Sequence, residues 1–123
     1  MPAPRKPKWL DEPDDDDYPA ALSYLSLIFS PKRSKSFVKA LREAKVERFK
    51  AKDLFRASAL PLLPATHSHV AGDLKKVKAG KPLPPLLLVR EPELGKVIIA
   101  DGYHRLCAVY SIDEDVVVPC KIV

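Results

Sequence analysis

No apolar run in the chain approaches the roughly 20 residues that cross a bilayer, so no membrane-spanning helix is expected. The basic, proline-rich start, Met1–Lys8, runs into acidic residues instead of an apolar stretch. That order argues against a secretory signal and for a cytoplasmic protein. Two cysteines, Cys107 and Cys120, are too few for a disulfide framework, and each lies in an apolar run, as buried free thiols do. No internal repeat divides the 123 residues, whose length suits one compact domain. Full disorder is excluded by an apolar content of 46%. Charge is not strongly one-sided either: the net +5 arises from an acidic stretch at Leu10–Asp17 and a basic one at Lys32–Arg56. Such asymmetry fits weak nucleic-acid binding through Lys32–Arg56, or simply a solvated basic helix face.

What is present reads as an α+β protein, a small mixed and mostly antiparallel sheet with helices packed on it. Residues 1–17 are expected to form a flexible Pro-rich and acidic tail, with Trp9 and Leu10 as its anchor. Residues 18–45 read as a helical hairpin extension. Its first helix covers Tyr18–Phe29, where Tyr18, Leu22, Leu25 and Phe29 follow helical spacing. The apolar residues off that stripe predict burial on several sides, in the domain or in a homodimer formed by these helices. After Ser30-Pro31, Ser34 or Ser36 is expected to cap a second helix with its apolar stripe at Phe37, Val38, Leu41 and Ala44. From Val46 to Leu54 an edge strand and a turn are expected. Thr66 is expected to cap a helix reaching Lys78. Pro85–Arg90 and Lys96–Ala100 predict an antiparallel hairpin around the Glu91–Gly95 turn. Val116–Val123 predicts a last strand, placed at an edge or bulge by Pro119.

The most informative stretch is Asp101-Gly102-Tyr103-His104-Arg105. Before it comes a short β-branched run, Val97–Ala100. After it, Leu106, Val109 and Tyr110 mark one face of a helix. A strand-to-helix turn of this kind presents free N–H groups and a partial positive charge to anions. Gly102 allows close backbone approach. His104 and Arg105 add donors, and an arginine can grip a phosphate bidentately. Asp101 is the candidate general base or metal-linked carboxylate, and a helix cap is its plainer role.

Ala100-Asp101-Gly102-Tyr103-His104-Arg105-Leu106-Cys107-Ala108 resembles the nucleotide-binding turn of the ParB/sulfiredoxin superfamily. Sulfiredoxins carry Gly-Cys-His-Arg there, ParB-like free serine kinases Asp-Gly-His-His-Arg, and ParB proteins a Gly-Glu-Arg-Arg version. The resemblance spans residues 46–123. It implies a ParB/sulfiredoxin-like domain that holds an ATP-like nucleoside di- or triphosphate, with or without magnesium, through Gly102, Tyr103, His104 and Arg105. It also implies that a strand within Leu54–Pro61 ends in a phosphate-holding Arg56, and that His69 and Lys76 lie near contact positions. Tyr103 stands where sulfiredoxin has its cysteine, so repair of cysteine sulfinic acid, which needs a thiolate, is not expected. A nucleotide-dependent phosphotransferase, a non-catalytic nucleotide-sensing or protein-interaction module, and a DNA-binding protein or nuclease remain as alternatives. In ParB the DNA-reading helical domain follows the nucleotide domain, and no residues follow Val123 here, so a DNA clamp is not expected. No metal site is expected. His69 and Asp73 alone are too few ligands for zinc, and the acidic run Glu12–Asp17 supplies no fixed geometry.

Overall fold

Four consecutive residues, Leu86–Val89, are completely buried, and the sheet is built outward from them. They lie in β2 (Leu86–Glu91), which pairs antiparallel with β3 (Lys96–Asp101) across a turn closed by Gly95 at φ +64°. On its other side β2 runs parallel to β4 (Val117–Ile122), and β4 pairs antiparallel with β1 (Val46–Lys50). The order is therefore β1-β4-β2-β3. The computed structural model describes residues 6–123 and is an α+β fold with five helices around this mixed, mostly antiparallel sheet.

A strand buried on both faces needs cover on both, and the helices divide accordingly. One face carries α1 (Asp17–Leu25) and α2 (Pro31–Glu43), whose Tyr18, Ala21, Leu25, Val38 and Leu41 pack on Leu87, Val89, Ile98 and Ala100. The other carries α3 (Ala51–Ser58), α4 (Ser68–Lys78) and α5 (Tyr103–Ile112). There Leu54, Val77, Leu106 and Val109 meet Leu86, Leu88, Ile99 and Val118. The helical hairpin is thus one of the two covering layers of the sheet.

Several local expectations shift. Of the tail, residues 1–5 lie outside the described residues. The rest is held to the body at Lys8–Leu10, where Leu10 N–H donates to Leu83 O at 2.8 Å and Leu83 N–H donates to Lys8 O at 2.8 Å. Helix α1 stops at Leu25, four residues early, so Ile28 is 49% exposed although Leu25 is buried. Ser30 caps α2, accepting from Arg33 N–H, because Pro31 is already suited to the first helical position. His67, not Thr66, caps α4.

Pro119 sits in an interior strand, contrary to its expected edge or bulge. Ala51 N–H donates to Val116 O, so the bonds of β4 toward β1 fall on even-numbered residues. Pro119 turns its nitrogen the other way, and pairing with β2 begins only at Cys120. The missing donor is not needed there.

Leu87 lies fully buried between these layers, so Leu87→Ala is expected to lower unfolding free energy by about 2–5 kcal/mol in a denaturant titration.

Candidate functional site

The strand-to-helix turn forms where it was expected: β3 ends at Asp101, and α5 begins after Gly102. Gly102 has φ +106°, a conformation open to glycine. A Cβ there would lie 2.7 Å from Leu86 Cγ. The close approach that demands glycine is therefore to the core of the protein. Asp101 does not cap the helix; the cap position is Gly102, and no side chain satisfies the first amides of α5.

Asp101 turns instead to Arg105. Arg105 is 9% exposed, and both terminal nitrogens of its guanidinium are engaged. Nη1 donates to the carbonyls of Pro84 at 2.7 Å and Pro85 at 3.3 Å. Nη2 is bonded to the Asp101 carboxylate and lies 3.6 Å from Asp17 Oδ1 at the start of α1. This arrangement withdraws Arg105 from the phosphate-gripping role expected of it. Burial pushes the Asp101 carboxyl up to about 6, with repulsion from Asp17 adding to it and the attraction of Arg105 opposing it.

All three histidines of the chain meet in front of α5. Their ring centroids are separated by 4.8 Å (His69–His104), 5.2 Å (His67–His104) and 5.8 Å (His67–His69). His67 and His69 come from the first turn of α4 and His104 from the first turn of α5, so two helix N-termini converge on the rings. His67 Nδ1 accepts from His69 N–H at 3.3 Å, which leaves the proton of the neutral ring on Nε2. Burial lowers the pKa of His104, the neighbouring His69 and His67 lower it further, and Asp73 opposes them. The His67 and His104 planes lie 17° apart, stacked face to face. Among the described residues, no three His, Cys, Asp or Glu side chains are placed to hold a metal ion. The ring N–H groups and the uncapped amides instead make a set of hydrogen-bond donors. Beside them Asp101, Gly102, Tyr103 and His104 line a cleft of about 370 Å³ that Tyr24 and Leu60 wall on either side.

The remaining candidates are dispersed. Arg56 is exposed on the last turn of α3, a helix where a strand was expected. Lys76 lies near the far end of α4, about 10 Å along the axis from His69, and pairs with Asp73 at 3.8 Å. Neither lines the cleft at Asp101. Cys107 is buried against Val70 and Ala108, and burial raises its pKa, so it offers no thiolate. The basic stretch Lys32–Arg56 is split between α2 on one face of the sheet and β1 and α3 beyond it. Part of its charge is neutralised locally, as in the Lys52–Asp115 pair at 2.6 Å. His67 and Asp17 are the participants that sequence reasoning missed. The signal for His67 was its spacing of two from His69 at a helix start; for Asp17 there was none, because its partner lies 88 positions away (105 − 17).

Comparison with models of protein families, with curated proteins and with solved structures finds no match.

Arg105→Ala would leave Asp101 and Asp17 facing each other with no cation and would free two carbonyls. A loss of about 3–5 kcal/mol of unfolding free energy is expected by chemical denaturation. The pH dependence separates the two titrating groups. With its pKa raised from 3.8 to about 6, native Asp101 binds more protons than the unfolded chain, so its contribution is full below 3.8 and lost as pH rises through 6. His104 works the other way: its lowered pKa makes stability fall as pH drops below 6.5. Asp101→Asn should remove the first slope and leave the second, as read from melting temperatures between pH 4 and 8.

Proposed function

We propose that this protein binds the phosphate groups of a nucleoside di- or triphosphate in the cytoplasm, at the ring face shared by His67, His69 and His104. The observation that carries this reading is the convergence of the three imidazoles on the uncapped N-terminus of α5. Two helix dipoles favour an anion there, and the free amides and ring N–H groups are donors of the right kind. The resemblance of Gly102–Arg105 to the phosphate turn of the ParB/sulfiredoxin superfamily supports the same place, with one change of role. Gly102, Tyr103 and His104 supply the turn and its donors, whereas Arg105 holds the turn in position from behind. Magnesium would arrive with the nucleotide, and Asp101 is the carboxylate that lines the adjacent cleft.

A second reading, phosphoryl transfer, is favoured by Asp101 itself. Its carboxyl lines the open cleft next to His104, and a pKa of about 6 suits a general base near neutral pH. Its engagement by Arg105 and Asp17 supports simple binding instead. A nucleic-acid role has less support, since the basic residues do not share one surface.

A bound phosphate stabilises protonated imidazole, so binding takes up protons and affinity should be higher at pH 6 than at pH 8. His104→Ala is expected to weaken ADP binding by about 1.5–3 kcal/mol and to flatten that pH dependence. Isothermal calorimetry with ADP and ATP, with and without magnesium, is the test. Absence of binding, or binding unchanged in His104→Ala and His69→Ala, would place the ligand elsewhere. Phosphate release from ATP by the wild type that Asp101→Asn abolishes would establish the transfer reading.

A further inference from the structure

The free edge of β3 lies at the bottom of a slot. In the order β1-β4-β2-β3 this strand is terminal, and its outer backbone can be assigned from the bonds around it. Val123 N–H donates to Leu88 O, and Arg90 N–H donates to Val123 O, so even-numbered residues of β2 face β4. Odd-numbered residues then face β3, which makes Val89↔Ile98 and Glu91↔Lys96 the bonded pairs. Val97 and Ile99 therefore turn their N–H and C=O groups outward. Among the described residues no backbone hydrogen bond closes this edge.

The slot has two apolar walls. Tyr24, 42% exposed, and Ile28 come from the α1 side, and Leu60 from the segment after α3. Its outer half, along Leu94–Ile99, holds about 280 Å³. It shares Tyr24, Leu60 and Ile99 with the cleft at Asp101, so the two are continuous over the length of β3. At the inner end the cleft is lined by Asp101, and with Asp17 behind it two carboxylates face the one guanidinium of Arg105.

We infer that the β3 edge accepts an extended segment of a partner protein as an added antiparallel strand, apolar on both faces and basic at its N-terminal end. Unpaired N–H and C=O groups of an edge strand are what such a segment bonds. Both walls being apolar, its alternating side chains need apolar character on both faces. In antiparallel pairing its N-terminal end lies at Asp101, where the surplus negative charge suits a lysine or arginine. A second copy of the chain fits less well. Helix α1 packs over one face of β3 and α3 over the other, so a copy paired edge to edge would bring its own two helices into the same space. A bare strand brings none. The inference is independent of phosphate binding at the histidines.

The probe is acetyl-Lys-Val-Ile-Val-Thr-Ser-amide added to the full chain without nucleotide, followed by amide hydrogen exchange in NMR spectra. Bound peptide should slow exchange at Val97 and Ile99 at least about tenfold, while Lys96 and Ile98, already bonded to β2, change little. Glutamate in place of the peptide's lysine should weaken binding about fivefold or more. Of two peptides N-methylated at alternate residues, the one whose β3-facing amides are blocked should fail to bind and the other should bind. The inference is overturned if the peptide leaves Val97 and Ile99 unprotected at millimolar concentration, or if the two methylated peptides bind equally. It is also overturned if the protein alone forms a concentration-dependent dimer that protects those amides, which would make the occupant a second copy.

Discussion

The guanidinium of Arg105 is taken almost entirely out of water, and it can stay there only because four groups from three separate parts of the chain surround it. The carbonyls of Pro84 and Pro85 come from the entry to β2, Asp101 from the end of β3, and Asp17 from the first turn of α1. A buried charge without such partners would cost several kcal/mol, so these segments have to arrive together. Arg105 thus couples the two helical layers through the corner of the sheet. It also sets the orientation of the first turn of α5, which carries His104. The first amides of that turn are left uncapped because the carboxylate beside them, Asp101, is bonded to Arg105 instead.

Lys121 performs a related task on β4. Only 2% of it is exposed, yet its ammonium reaches Glu12 Oε2 at 3.1 Å and donates to Arg42 O at 3.1 Å. Burial depresses its pKa, but Tyr18 and Glu12 outweigh that and raise it on balance. The helical hairpin is consequently tied down at two places, by Asp17 to Arg105 of α5 and by the Arg42 carbonyl to Lys121 of β4, and by the Leu25, Val38 and Leu41 contacts on the sheet. Among the described residues, these helices are what covers Leu87 and Val89 of β2 on that face.

The parts of this architecture that were legible in the sequence are those encoded locally. Leu86–Val89 and Val97–Ala100 are apolar runs too short for helices, and the turn between them holds Pro92 and Gly95. Gly102 marked the break between strand and helix. Residues 54–61 misled because a short apolar run, Leu54-Phe55, does not distinguish strand from helix. The resemblance then favoured a strand, whereas Leu54 and Ala51 bury one side of α3. The candidate site was legible at Gly102–His104 but not at Arg105. Whether an arginine meets a ligand or a pair of carboxylates depends on where Asp17 falls in space, and no local pattern records that. Ser34 was read as a cap and is instead a buried hydroxyl bonded to Phe29 O.

Trp9 is the single tryptophan of the chain, and it sits where Lys8–Leu10 bridges to Leu83 and packs on the larger core cluster. Its indole is therefore an intrinsic optical label for the seam between the N-terminal segment and the strand layer, and for little else. Leu83 leads through Pro84 and Pro85 into the carbonyls that hold Arg105. The colour of that one fluorophore reports on the same few residues of backbone that keep the histidine corner in place.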